Sequence, residues 1–216
     1  MKLVEAKDTI EKYTRKPFSE IFEVSDMENI IRVKGLTGLL LEKLIKLPAS
    51  SNLIDFEDGE LKTNKCNENG KPLETMYISQ ISSRFDELLD SDLLFSDSWI
   101  FHKINRLLYV PVVKTSSNPS EWYFLNPIQI DLSFNENLKI VLEDDFNRIK
   151  KGIRDSIQSG DQNIHTTNGE FLQIRTKDSK PYNPIYSKEL ERYVSNKNFA
   201  FYFRTQFMSF ITGGNL

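Results

Sequence analysis

Apolar positions recur along the chain with two periods, and the switches between them mark its elements. Near the N-terminus a spacing of three to four residues predicts an amphipathic helix from about Val4 to Lys12, with a second, shorter one in "FSEIFE". "SDME" at 25 to 28 has the Ser-x-x-Glu form of a capping box and predicts a helical turn running to Ile31. From Leu36 to Leu47, "LTGLLLEKLIKL" is apolar around most of a helical circumference, the mark of a buried helix. "PASSN" ends it, because Pro48 cannot continue a helix and Ser and Asn suit loops.

The period then shortens to the alternation of strands. "GELKT" and "LETMYIS" flank "NENGKP", in which Asn69-Gly70 predicts a hairpin turn. "RLLYVPVV" at 106 to 113 is a further strand, β-branched and aromatic. A long helix follows within residues 134–160, closed by Gly160 in the C-cap region. "GEFLQIRT" and "NFAFYFRT" read as strands, with "SKELERYVS" a helix between them and "QFMSFI" a short final helix. There is no internal repeat and no low-complexity segment. The alternation of helices and strands predicts an α/β fold with a mixed central sheet flanked by helices.

Composition adds limits to this picture. A length of 216 residues suits one compact domain or two joined lobes, and 39% apolar with 27% charged residues is the balance of a globular protein. Fifteen Phe predict a core built on aromatic burial. No apolar run reaches the ~18 residues that a membrane span needs, and "MKLVEAKDTIEKY" lacks the apolar stretch of a signal peptide, so the expectation is a cytoplasmic chain without a membrane partner. The single Cys66 excludes an intrachain disulfide and a Cys-rich zinc site, and its surroundings place it in a polar turn. A net charge of −3 gives no direct support to nucleic-acid binding, which depends on where the cations cluster.

Chemistry enters with "DFEDGELKTNKCNENGKPLETMYIS" at 55 to 79. Side chains of a strand alternate between faces, so Glu60 and Lys62 share one while Leu61 points into the core. A bend before the strand would bring Asp55 beside Glu60. Two carboxylates at ~4 Å repel unless a cation lies between them. Mg²⁺ suits such a pair, since it takes one or two carboxylates and keeps water and phosphate oxygens as its other ligands. An adjacent ammonium can orient an attacking water and stabilise charge on a phosphate. Glu-x-Lys by itself also recurs in exposed strands as a solvated ion pair worth little.

Further motifs give that short pattern its context. "DF" at 55, "ELKT" at 60 to 63, "GKPLET" at 70 to 75 and Tyr77 resemble the MutH-like family of DNA endonucleases, which includes mismatch-repair endonucleases and GATC-cutting type II restriction enzymes. "KGLTGLLLE" at 34 to 42, "HKINRLLYVPV" at 102 to 112, "GEFLQIRTK" at 169 to 177 and "FAFYFR" at 199 to 204 follow the family order, so the resemblance runs from Tyr13 to Phe207. It implies the restriction-endonuclease-like fold, with two lobes forming a DNA-binding cleft, and one endonuclease domain over residues 1–216. The implied reaction is Mg²⁺-dependent hydrolysis of duplex DNA at GATC-like sites (Mn²⁺ able to substitute), cutting 5′ of guanine and leaving 5′-phosphates.

The resemblance also implies roles. Asp55, Glu60 and the carbonyl of Leu61 would hold the metal, with Glu42 as a further carboxylate; Asp58 is the alternative to Asp55, and the "DF" match favours Asp55. Lys62 and Lys103 would complete the catalytic group. A lysine at its ordinary pKa of ~10.4 is a poor base near neutral pH, so Lys62 is read as orienting water and stabilising charge. His102 is read as a bystander. Lys34 and Gly35 resemble a DNA-contacting turn, where glycine permits close backbone approach. Arg175 resembles an arginine reading a guanine edge, with Thr176 where the family has proline and Lys177 beside it. Tyr77 and Tyr202 stand where the family has aromatics near the DNA, and the run "NRIKKGIR" is a candidate for phosphates as well as an ordinary solvated helix face. The cations thus recur in the segments expected to face DNA.

Three readings divide the biology. A type II restriction enzyme, or its catalytic domain, is the first; its implied partners are duplex DNA and a second MutH-like domain or a homodimer partner. The second is a mismatch-repair nickase at hemimethylated GATC, working with a MutL-like activator. The third, a non-cleaving DNA-binding effector domain, sits poorly with the presence of Glu42, Asp55, Glu60 and Lys62.

Overall fold

Helix α1 (Leu3–Glu11) presents Leu3, Ala6 and Ile10 to a core, the spacing that its sequence predicts. Its free N-terminal amides are met by side chains: Leu3 N–H donates to Asp58 Oδ1 at 2.8 Å, and Lys2 N–H to Glu5 Oε2 at 2.9 Å. The computed structural model describes residues 1–28, 30–31, 35–48, 52–160 and 164–213. They divide into two compact units, Met1–Glu74 with His102–Asp131 and Met208–Leu216, and Thr75–Phe101 with Leu132–Phe207.

In the first unit α1 is followed by α2 (Val24–Met27), α3 (Leu36–Leu44) and strand β1 (Glu60–Cys66). In the second unit the chain forms β2 (Met76–Gln80) and a run of 3₁₀ turns before α4 (Trp99–Ile104), whose last residues belong to the first unit. The first unit then adds β3 (Arg106–Val113), β4 (Tyr123–Phe124) and β5 (Ile128–Asp131). The second contains α5 (Glu136–Gln158), β6 (Thr167–Asn168), β7 (Leu172–Thr176), β8 (Ile185–Ser187), β9 (Arg192–Ser195) and β10 (Phe199–Phe203), and α6 (Thr205–Ile211) closes the described chain.

The first unit carries a mixed sheet. β1 pairs in parallel with β3, Glu60 opposite Leu107 and Lys62 opposite Tyr109, while β4 and β5 pair antiparallel with β3. Seven of the eight β3 residues are buried, as a central strand covered on both faces requires. Phe18, Phe22, Trp122 and Phe124 pack ring to ring beside Leu3, Ile10 and Leu61, so Leu61 does enter the core. The second unit carries the antiparallel sheet β2-β10-β7-β6 and a separate pair, β8-β9. Its core face sets Phe201 against Phe146 of α5 and Trp99 of α4. Helices and a mixed sheet are the α/β plan that the sequence predicts, and aromatic rings fill both cores.

Several expectations need correction. Residues 67–70 do form a turn, with Gly70 at φ 79° and Leu73 N–H returning to the Lys65 carbonyl, but the second arm ends there. β2 pairs with β10 instead of β1, so the expected hairpin is absent. Cys66 is no turn residue; it ends β1, fully buried against Val113 and Leu125. α2 starts at Val24 with Glu23 at its N-cap, which puts Ser25 inside the helix and leaves no capping box at Ser25. α3 stops at Leu44, three residues early, because Lys46 adopts φ 56° while its amide and that of Leu47 close back on Lys43 and Glu42.

"SKELERYVS" is a strand pair, although it begins as a helix would. Ser187 Oγ accepts the Leu190 amide at 3.1 Å, the bond of a helix N-cap, but Glu191 at φ 51° reverses the chain after one turn.

Candidate active site and nucleic-acid interface

β1 is an edge strand and opens with Glu60, only 1% exposed. Its position is enforced from below: a Cβ on Gly59 would lie 2.5 Å from the Arg106 carbonyl oxygen, so only glycine lets the chain lie this close to β3 as it enters the strand. Glu60 Oε1 accepts hydrogen bonds from both Lys62 Nζ and, at 2.6 Å, Lys103 Nζ. Strand alternation puts Lys62 on the face of Glu60, as its spacing predicts, and α4 delivers Lys103. Lys103 also donates to the Leu53 carbonyl at 2.6 Å, which ties down the loop leading to β1. That carbonyl has no signature in the sequence, since any residue could supply it.

Asp55 sits beside the start of β1, with Oδ2 accepting the Leu61 amide at 2.9 Å. Asp58 is engaged elsewhere. One of its oxygens accepts the Leu3 amide and the other lies 3.1 Å from Arg106 Nη1. Arg106 reaches Asp131 too, its Nε 2.9 Å from Oδ2, though the angle there is too poor for a hydrogen bond.

α3 passes over β1 at Gly38, where an added Cβ would meet Thr63 Cγ2 at 3.8 Å in ordinary van der Waals contact. One turn further on, Glu42 comes near the cluster. Its carboxyl pKa is raised by partial burial first and by the charge of Asp55 next; Lys62 opposes the shift and Glu60 adds to it. Thus Glu42, Asp55, Glu60, Lys62 and Lys103 converge within the first unit, while His102 is exposed.

Among the described residues, no three His, Cys, Asp or Glu side chains form a ready-made cation site. A hard divalent ion needs less, since one or two carboxylates suffice beside waters and substrate oxygens. Glu60 Oε2 meets that need: it is buried and has no hydrogen-bond partner among the described residues. An unpaired carboxylate oxygen in such a place is costly unless something binds it. These residues therefore fit a divalent ion.

A second group forms in the other unit, on the sheet face opposite Phe201. Tyr77 of β2 lies across from Tyr202 of β10, their rings 5.7 Å apart and edge to face. The Arg175 guanidinium sits 4.7 Å from the Tyr202 ring and the Lys177 ammonium 3.3 Å from that of Tyr77. Burial raises the Tyr202 hydroxyl pKa, against the opposing effect of Arg175. Thr176 is exposed on the other side of β7. Gly35 stands apart in the first unit, at φ 89° as the N-cap of α3, and Lys34 lies outside the described residues. In the run 147–154, Lys150 is spent on the carbonyls of Asp90, Ser91 and Leu93, a structural use.

Comparison with known proteins adds independent information. The family model described as "DNA mismatch repair enzyme MutH" matches residues 45–145. The chain is 30% identical over 172 residues to the DNA mismatch repair protein MutH of Escherichia coli (strain K12), covering 76% of this chain and 70% of that protein. It is 30% identical over 199 residues to the protein of the same name from Vibrio campbellii (strain ATCC BAA-1116), covering 88% and 84%.

Proposed function

This chain is a member of the MutH family, and from that premise we propose that it is a site-specific deoxyribonuclease hydrolysing phosphodiester bonds of duplex DNA at GATC-like sites, 5′ of guanine. The observation that carries this reading is the carboxylate of Glu60, with one oxygen gripped by two lysines and the other without a hydrogen-bond partner among the described residues. Glu60, Asp55 and the Leu61 carbonyl would hold a divalent ion, Mg²⁺ by preference and Mn²⁺ as a substitute, with Glu42 as a further carboxylate. When bound, that ion supplies Lewis acidity to the phosphate and the attacking water. Asp55 is preferred to Asp58 because both Asp58 oxygens are committed to Leu3 and Arg106.

The chain's own residues do the rest. Lys62 and Lys103 keep Glu60 oriented and place positive charge beside the position where a phosphate gathers negative charge. Tyr77, Tyr202, Arg175 and Lys177 supply the stacking and hydrogen-bonding surface for DNA, with Arg175 suited to a guanine edge and Lys177 to a phosphate. Thr176 and Gly35, with Lys34 by the family resemblance, complete the contacts.

Cleavage of a duplex with one GATC site, followed on both strands, tests the reading. The expected result is Mg²⁺-dependent product with 5′-phosphates that chelation abolishes and Glu60→Ala reduces at least about 10²-fold. Unchanged cleavage by Glu60→Ala sinks the assignment. Double-strand cutting of unmethylated DNA by the chain alone is the restriction reading. Nicking of hemimethylated DNA with a MutL-like activator is the mismatch-repair reading, and the same assay on methylated, hemimethylated and unmethylated duplexes separates the two.

A further inference from the structure

Between the two strands that carry Arg175 and Tyr202 the chain makes an excursion, residues 177–198, that none of the proposed roles uses beyond Lys177. It is built rigidly. Asp178 accepts the amides of Ser179, Asn183 and Asn198, the last two at 2.7 and 2.9 Å, and so fastens the loop to the end of β10. Asp86 fastens the far end, accepting the Ser187 hydroxyl at 2.5 Å and the Lys188 amide at 3.0 Å. Ile185, Ser187, Val194 and Ser195 are buried, so β8 and β9 have one committed face.

The other face is unusual. Tyr186 and Tyr193 lie directly opposite each other with rings 5.2 Å apart, and they remain 46% and 63% exposed. Tyr182 is 42% exposed beneath the Lys197 ammonium, 4.9 Å from its ring. Lys197 is the cation set against a ring, Lys180 and Lys188 are exposed on the same excursion, and Arg192 lies opposite Ser187 on the other side of the strand pair, with Glu189 and Glu191 at the tip. None of the four cations forms an ion pair with a described residue. Burying three tyrosines would stabilise the chain by hydrophobic transfer alone. Their exposure on a pinned hairpin, on an excursion whose cations form no ion pair with a described residue in a chain of net charge −3, points to a partner outside the molecule.

We infer that the β8–β9 hairpin is a second DNA-contact surface, which grips the sugar–phosphate backbone of the duplex flanking the recognition site; this rests on the endonuclease reading above. Lysine and arginine pair with phosphate, and tyrosine hydroxyls donate to the same oxygens. Chain continuity favours this occupant: the hairpin leaves from Lys177 and returns at Asn198, whose carbonyl accepts the Lys177 amide at 2.9 Å. The grip carries no sequence information and sets affinity and register.

Binding of the full chain to fluorescein-labelled duplexes, measured by anisotropy in EDTA over a salt series, tests this. One duplex extends well beyond a central GATC and a second is trimmed close to it. K188Q/K197Q should weaken binding to the long duplex about 10-fold at physiological salt and lower the salt slope by roughly 0.9 for each lost phosphate contact. Binding to the trimmed duplex should hold, and cleavage of the long one should show a raised KM with unchanged kcat. Y186S/Y193S should act in the same direction, and K188R/K197R, which keeps both charges, should bind as the parent does. Thermal melting identifies any variant that misfolds, and the charge-keeping pair then carries the comparison. Equal affinity and slope on the long duplex overturn the inference, as does equal loss on both duplexes. DNA binding unaffected while a homodimer dissociates also overturns it, by assigning the surface to a second copy. A parent chain that binds and cuts DNA regardless of the hairpin removes this inference alone; a parent that binds no duplex removes both readings.

Discussion

At the scale of the residue, the decisive feature is one oxygen of Glu60 shared by two ammonium groups. Removing either lysine should cost chemistry more than binding. Lys103→Met keeps most of the stem and removes the charge, so single-turnover cleavage should slow by about 10²-fold or more while affinity for uncut duplex stays near that of the parent. The same change frees the Leu53 carbonyl and should lower stability by about 1–3 kcal/mol, read from denaturant unfolding. Glu42 yields a prediction of opposite sign. Its pKa is raised in the folded chain, so its contribution to stability is complete below the unfolded value, near 4.5, and is lost as pH rises through the folded value. In chelating buffer Glu42→Gln should therefore stabilise the chain at neutral pH and bring no gain in acid, while cleavage falls. A variant less stable at neutral pH contradicts the crowding of carboxylates inferred here.

At the scale of the element, α5 shows how one side chain can anchor a sheet. Asp145, 2% exposed, accepts the amides of Glu170, Phe171 and Leu172 at 2.6, 2.6 and 2.8 Å, and so fixes the start of the strand that carries Arg175. Asp145→Ala leaves three donors without partners and should cost about 3 kcal/mol or more, a fall in Tm of about 10 °C, whereas Asp145→Asn should cost less. Elements with sustained local patterns were legible in the sequence: α1, β3, α5 with its Gly160 stop, and the strands β7 and β10. What the sequence concealed depends on distant partners. The turn at 67–70 is real, but nothing local reveals that β2 pairs with β10, more than a hundred residues on. Ser187 makes a true helix-starting bond, and a single left-handed residue then overrides it. Spacing grouped Asp55, Glu60 and Lys62, while Glu42 and the preference for Asp55 over Asp58 came from the family resemblance; what no local pattern reveals is that Asp58 is held by the amide of Leu3 and by Arg106.

At the scale of the whole molecule, charge and burial are distributed unevenly. The total of −3 conceals a concentration of acids around Glu60 in one unit and of cations around Tyr77 and Tyr202 in the other. Duplex affinity should therefore fall steeply with salt in spite of the acidic total, and a flat salt response would contradict the DNA-facing assignments. No helix among the described residues is long and apolar enough to cross a membrane. The lone thiol has a practical consequence. Cys66 is fully enclosed at the end of β1, and burial lifts its pKa to about 11. An alkylating reagent should thus leave the native enzyme untouched and react only in molecules that have transiently opened around that strand. The labelling rate becomes an internal clock for the unit that contains β1, readable by mass spectrometry without introducing a probe.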